Sequence, residues 1–339
     1  MTSAPTTISP WPHRLAVLLV CATFPLIWIG GLVTTTGAGM AFPKWLTIDG
    51  RFFLFYPLER WLAGPWDQFI EHGHRLPATV VGLLTILLAA VLWRSEPRRW
   101  VRWTGVGAVA AVSFQGLLGG LRVDLNQQVL AMIHGCVGPL FFGLTVALAA
   151  FTSHWWGSAG DYPVSRDNGK LIRLTVATAA LAYLQLVTGA WLRHLAATAS
   201  GEVFRVIVVF HLLVAAAVLG HVLYLGHLIW WSRPRNGLLI RPALALILLV
   251  LAQVALGGGT WVTKYGWPAW LAEYDFAQRY VIVPGSPAQT WTVTAHVAIG
   301  SLILATAVLI AVRLARLSYA SQRLQTTRPA AHGLAEVPA

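Results

Sequence analysis

Glu71, His74 and Arg75 lie close together in Phe69-Ile70-Glu71-His72-Gly73-His74-Arg75-Leu76-Pro77, where a polar stretch passes into a long apolar run. Three residues span about 300° of an α-helix, so Glu71 and His74 project from nearly one face, with Arg75 one turn from Glu71. A carboxylate, an imidazole and a guanidinium at the mouth of a membrane span are costly and point to a working site. The carboxylate could move protons beside a bound group. It could also be a helix N-terminal carboxylate favoured by the dipole, or a partner for Arg75.

Composition identifies the elements that must position these groups. The chain has 339 residues, 57% of them hydrophobic and 11% charged, with a mean hydropathy of +0.65. Apolar runs of about 20 residues, the length of a bilayer-spanning helix, recur throughout. We read eight spans, at 14–36, 72–93, 102–121, 128–151, 171–192, 204–231, 241–262 and 290–313. The formal net charge of +12 would suit nucleic acid, but no basic stripe interleaves with base-reading side chains. The cations gather instead in short connections, including Arg94, Arg98, Arg99, Arg166, Lys170, Arg233, Arg235 and Arg241, and in the tail at Arg313, Arg316, Arg323 and Arg328. The positive-inside rule turns this side, and both termini, to the cytoplasm of a bacterial inner membrane. Cys21 and Cys136 both fall inside spans, which leaves no loop disulfide and no thiolate metal site. The first apolar run is too long for a signal-peptide core and reads as a retained span.

Two long connections, 37–70 and 263–289, lie on the opposite side and are rich in aromatic residues. The odd-numbered spans repeat a small-residue pattern: Gly30-Gly31, Gln115 with Gly119-Gly120, Gln185 with Gly189, and Gln253 with Gly257-Gly258. Glycines at such positions let helix backbones, or a flat ligand, come close. These features predict an all-α integral membrane protein of eight transmembrane helices, built as two pseudo-twofold-related four-helix bundles, 1–160 and 161–339.

Each even-numbered span carries a histidine in its first two turns at a matching position: His74, His134, His211 and His296. At 1.5 Å per residue they are expected about 6–12 Å below the outer end of the span. A single histidine in a span is more often an interhelical hydrogen-bonding group than a ligand. Four at one depth in alternate helices of a repeated bundle point to metal. Facing histidines in a bundle core suit the axial positions of haem iron. Pairing by repeat sets His74 with His134 and His211 with His296. A non-haem metal suits the pairs less, since only Glu71 could add a carboxylate. His72, His154, His194 and His227 read as ordinary, and His221, deep in the sixth span, stays open.

The halves are unequal. Three residues before the histidine stand Glu71, Ala131, Val208 and Val293; one residue after it stand Arg75, Gly135, Leu212 and Val297. One pair therefore has an acid–base group beside it and the other only apolar neighbours, which suggests one reactive site and one electron-relay or structural site.

Thr36-Gly37-Ala38-Gly39-Met40-Ala41-Phe42-Pro43-Lys44-Trp45, Glu71-His72-Gly73-His74-Arg75, Ile133-His134-Gly135 and Phe210-His211 together resemble the haem A synthase family, from Gly30-Gly31 to the eighth span. The resemblance implies oxidation of the haem O methyl group to the formyl group of haem A. It assigns His74 and His134 to the substrate haem and His211 and His296 to a haem b, with Glu71 as the essential carboxylate and Arg75 as its neighbour. The chain departs from one branch of the family in lacking a cysteine pair in the first outer loop, and Pro77 just past His74 is unusual. Expected partners are haem O, membrane lipid, haem O synthase, an electron donor and a second copy of the chain, with no nucleic acid. The residues alone leave two other classes open: a di-haem membrane cytochrome b, and a transporter built on the duplicated bundle. Against transport, no span is interrupted by charged midplane residues.

Overall fold

The computed structural model describes residues 9–159, 168–196, 198–232 and 237–327. Arg166, Arg233, Arg235 and Arg328 lie outside the described residues. Eight long helices dominate: α1 (Trp11–Thr35), α2 (Trp66–Ser95), α3 (Arg99–Asp124), α4 (Gln128–Thr152), α5 (Asn168–Arg193), α6 (Gly201–Trp231), α7 (Gly237–Tyr265) and α8 (Pro287–Thr327). All eight are long and apolar enough to cross a membrane. Lipid offers no hydrogen bonds, so a spanning segment must satisfy its own backbone, and the helix does so locally. Buried hydroxyls follow the same rule: Thr23, Thr85 and Thr175 each donate to the carbonyl one turn back at 2.7 Å. Pro77 sits inside α2 without ending it, at the cost of one backbone hydrogen bond.

The helices differ from the apolar runs at their ends. The α2 helix starts at Trp66 behind Pro65, well before the expected 72. Asp67 in its first turn favours the helix N-terminus, whereas hydropathy alone scores Asp67, Gln68 and Glu71 as loop. Glu71 is therefore in the second turn, and the carboxylate at the helix start is Asp67. For the same reason the four histidines lie about 9–15 Å into their own helices at 1.5 Å per residue, deeper than expected.

Neighbouring helices close two rings. The α1 helix packs on α2 and α4, with α2 on α3 and α3 on α4; α5 packs on α6 and α8, with α6 on α7 and α7 on α8. Each ring has its own apolar core, one around Leu19, Leu88, Leu92 and Leu148 and one around Leu225, Leu246, Ile310 and Leu314. The rings meet along α8, which also lies against α4 and α1. Close contact there needs small residues: a Cβ on Gly31 of α1 would lie 3.4 Å from Thr294 of α8, and one on Gly143 of α4 would lie 3.6 Å from Val308.

The connections 36–65 and 266–286 share one end of the molecule, called here the long-loop end. The first folds back on α2. Its hairpin pairs Thr47–Ile48 with Arg51–Phe52 around Asp49 and Gly50, whose φ of 51° and 74° suit an Asp-Gly turn. Phe42, Ile48 and Phe53 bury together beneath it.

Candidate active site

The four histidine rings are seated by one repeated device. A Cβ built on Gly30 of α1 would lie 2.9 Å from Cε1 of His74 on α2, and one on Gly119 of α3 would lie 2.9 Å from Cε1 of His134 on α4. In the second ring Gly189 of α5 faces His211 of α6 at 3.3 Å, and Gly257 of α7 faces His296 of α8 at 3.2 Å. The repeated glycines thus admit neither a helix backbone nor a flat ligand at these points, but the imidazole of the next helix. Alanine at Gly30 or Gly119 must push the ring it meets out of its seat, because 2.9 Å is closer than a Cβ can stand. We expect Gly30→Ala and Gly119→Ala to displace these rings and to weaken binding of any metal group they ligate about tenfold or more, read by absorbance titration. Gly189→Ala and Gly257→Ala should do less, because contacts of 3.2–3.3 Å can relax.

One turn before three of these seats stands a glutamine. Nδ1–H of His134 donates to the Gln115 carbonyl at 3.1 Å, and the Gln115 side-chain amide donates to the His134 carbonyl at 2.8 Å. Nε2 of His134 is then the ring nitrogen with a free lone pair. His211 is held differently: Nδ1 bonds the Thr188 hydroxyl at 2.9 Å, and Nε2 meets the Gln185 amide at 3.0 Å. A ligand to Nε2 of His211 displaces that amide. At the fourth station Leu26 replaces glutamine.

All four histidines line one chamber of about 1230 Å³ that runs through both rings, beyond the usual range for a single small-molecule site. The rings of His74 and His134 are 6.4 Å apart between centroids and nearly perpendicular, at 83°. Imidazole–metal bonds of about 2 Å on opposite sides of one atom set centroids about 6–6.5 Å apart. The observed centroid separation matches that of two imidazoles on one metal atom. Among the described residues no three His, Cys, Asp or Glu side chains cluster as a metal site by themselves.

Glu71 and Arg75 come together but do not line the chamber. The Glu71 carboxylate accepts from Nη2 of Arg75 and, at 3.0 Å, from the backbone N–H of Phe42. Nη1 of Arg75 donates to the carbonyls of Lys44 and Trp45, at 3.0 and 2.6 Å. Trp45 in turn packs over Gly120 and donates its backbone N–H to Asp124 of α3 at 2.8 Å. The pair thus stitches residues 42–45 across the end of the first ring, between α2 and α3. His72 is buried beside them in a cage of Phe53, Tyr56 and Trp61, facing the loop.

Several chamber residues escape a reading of the sequence. Arg122, Arg193, His194 and Lys264 all line it near the long-loop end. His194, which reads as an ordinary helix-end residue, has its imidazole pushed down to about 4 by burial, aided by Arg193 and Arg122, and is neutral near pH 7. Only the repeat offset hints at the two arginines, which lie one turn past Gly119 and Gly189. His221 lies off the chamber wall, with Nδ1 buried and unbonded among the described residues.

The chain matches the family model for "Cytochrome oxidase assembly protein" over residues 65–205. It is 31% identical over 264 residues to the heme A synthase of Shouchella clausii, covering 72% of this chain and 84% of that protein. The chain belongs to the haem A synthase family. The heme A synthase of Brucella suis is 29% identical over 157 residues, covering 44% of this chain and 42% of that relative. As a haem A synthase family member the protein is an enzyme of haem A biosynthesis in cytochrome oxidase assembly.

Proposed function

We propose that this chain is an oxidoreductase that converts the methyl group of haem O to the formyl group of haem A, by two successive hydroxylations and loss of water. The observation that carries the reading is the 6.4 Å, near-perpendicular placement of His74 and His134 in a chamber shared with His211 and His296. In this reading His74 and His134 hold the iron of haem O in the half 1–160. His211 and His296 hold a haem b in the half 161–339, which would supply one-electron transfer. The seat glycines orient the rings, and the Gln115 carbonyl keeps Nε2 of His134 available. Glu71 and Arg75 act first as positioning residues, holding residues 42–45 over the substrate end and excluding water there. Glu71 would take an acid–base role only once its bonds to Arg75 and the Phe42 N–H open, since with that loop in place it does not line the chamber. Haem O arrives from the bilayer, which its isoprenoid tail requires. An inner-membrane location with both termini cytoplasmic, haem O synthase and an electron donor as partners, and self-association complete the proposal.

The test is haem extraction and chromatography from membranes that contain haem O, with and without this protein. New haem A or its hydroxylated precursor is the expected result. Unchanged haem O beside a bound, reducible haem B would instead indicate a di-haem electron carrier.

A further inference from the structure

Outward of the histidines, the chamber holds charge that iron ligation does not use. Arg122 lies one turn beyond Gly119 on α3, and Arg193 one turn beyond Gly189 on α5; both line the chamber. Neither forms an ion pair among the described residues. The Arg122 guanidinium rests on the bare backbone of Gly39, whose Cβ would lie 2.6 Å from Nη1. Nη2 of Arg193 donates to the Gly31 carbonyl at 2.8 Å and the Thr35 hydroxyl at 2.7 Å. These are neutral acceptors for a group with five N–H donors and a full charge. Glu71 lies near enough to act on Arg122 electrostatically, but its carboxylate is already bonded to Arg75 and the Phe42 N–H, so both guanidiniums keep donors for a further anion.

The repeat supplies the second observation. The position matching Arg193 in the first ring is Thr34 of α1, and the position matching Arg122 in the second ring is Thr260 of α7. Each ring therefore has one guanidinium and one hydroxyl at this level, on opposite helices, and all four residues line the chamber. The Thr260 hydroxyl is buried with no hydrogen-bond partner among the described residues.

We propose that Arg122 with Thr34, and Arg193 with Thr260, are two carboxylate-binding subsites, each receiving the propionates of one tetrapyrrole and turning them toward the long-loop end. The inference rests on the haem reading above and adds orientation to it. In haem O the methyl to be oxidised shares its pyrrole with a propionate, whereas the isoprenoid tail is on a pyrrole without one. Anchoring the propionates outward keeps the reacting pyrrole at the long-loop end of the chamber. It leaves the tail for the deeper apolar wall at Leu26, Val112 and Phe141.

The test is absorbance titration of the full-length protein in nanodiscs with iron protoporphyrin IX and with its dimethyl ester. The wild type should bind the diacid about tenfold to a hundredfold more tightly than the diester. Arg122→Gln and Arg193→Gln should each lose that preference at one site while keeping the diester affinity, and Arg193→Lys should restore part of it. Equal wild-type affinity for the two forms, or glutamine variants with the full preference, would overturn the proposal. Failure of both forms to bind would remove the haem reading itself, and this inference with it.

Discussion

Membranes that carry the His134→Ala protein should contain less than about one-hundredth of the wild-type haem A, while the haem signal of the second ring persists. His134 supplies half of a pair whose ring centroids lie 6.4 Å apart, the spacing of two imidazoles on one metal atom. Its ring is fixed from behind by the Gln115 carbonyl at 3.1 Å and from the side by Gly119. Alanine removes the lone pair and opens the space the ring filled. Loss of groups that merely orient a metal ligand costs about 10–100-fold, so loss of the ligand itself should exceed that. The α6 and α8 stations take their contacts from Gly189, Thr188, Gln185 and Gly257, none of which touches His134, which is why the second signal should survive. Haem chromatography and the low-spin spectrum measure the two effects separately. Full haem A with His134→Ala would mean that the substrate iron is held elsewhere.

Glu71→Gln is the second large effect, an expected loss of haem A of at least about a hundredfold with both haem signals retained. Glu71 is 2% exposed and answers two donors, Arg75 and the Phe42 N–H. An amide has one oxygen for two donors and leaves the Arg75 charge uncompensated. Breaking a buried pair in this way costs about 3–5 kcal/mol, and residues 42–45 pay it by detaching. Protease accessibility of that loop should rise in parallel with the loss of haem A. A silent loop with activity lost would assign Glu71 to proton handling alone. A loosened loop with activity intact would dismiss it from the reaction.

The long apolar runs carried the eight helices, because a span must be both apolar and helical to satisfy its backbone in lipid. Regular rise along a helix then set His74, His134, His211 and His296 at similar depth, and their recurrence in alternate spans pointed to ligation. Helix ends were less legible. The polar residues at the start of α2 are helical because Pro65 and Asp67 start the helix in the interface, which hydropathy does not measure. The sequence likewise marked Glu71 and Arg75 as unusual, and the repeated glycines as sites of close approach. Only the tertiary structure decided what approaches them. Gly30 and Gly31 are adjacent in the chain, yet one receives the His74 ring and the other the α8 helix at Thr294. Glu71 and His74 share a helix face by spacing, yet the carboxylate turns to the Phe42 amide and the imidazole to Gly30. Spacing determines which way a side chain leaves its helix. The neighbour it meets is a non-local fact, set by which helices and loops pack beside it.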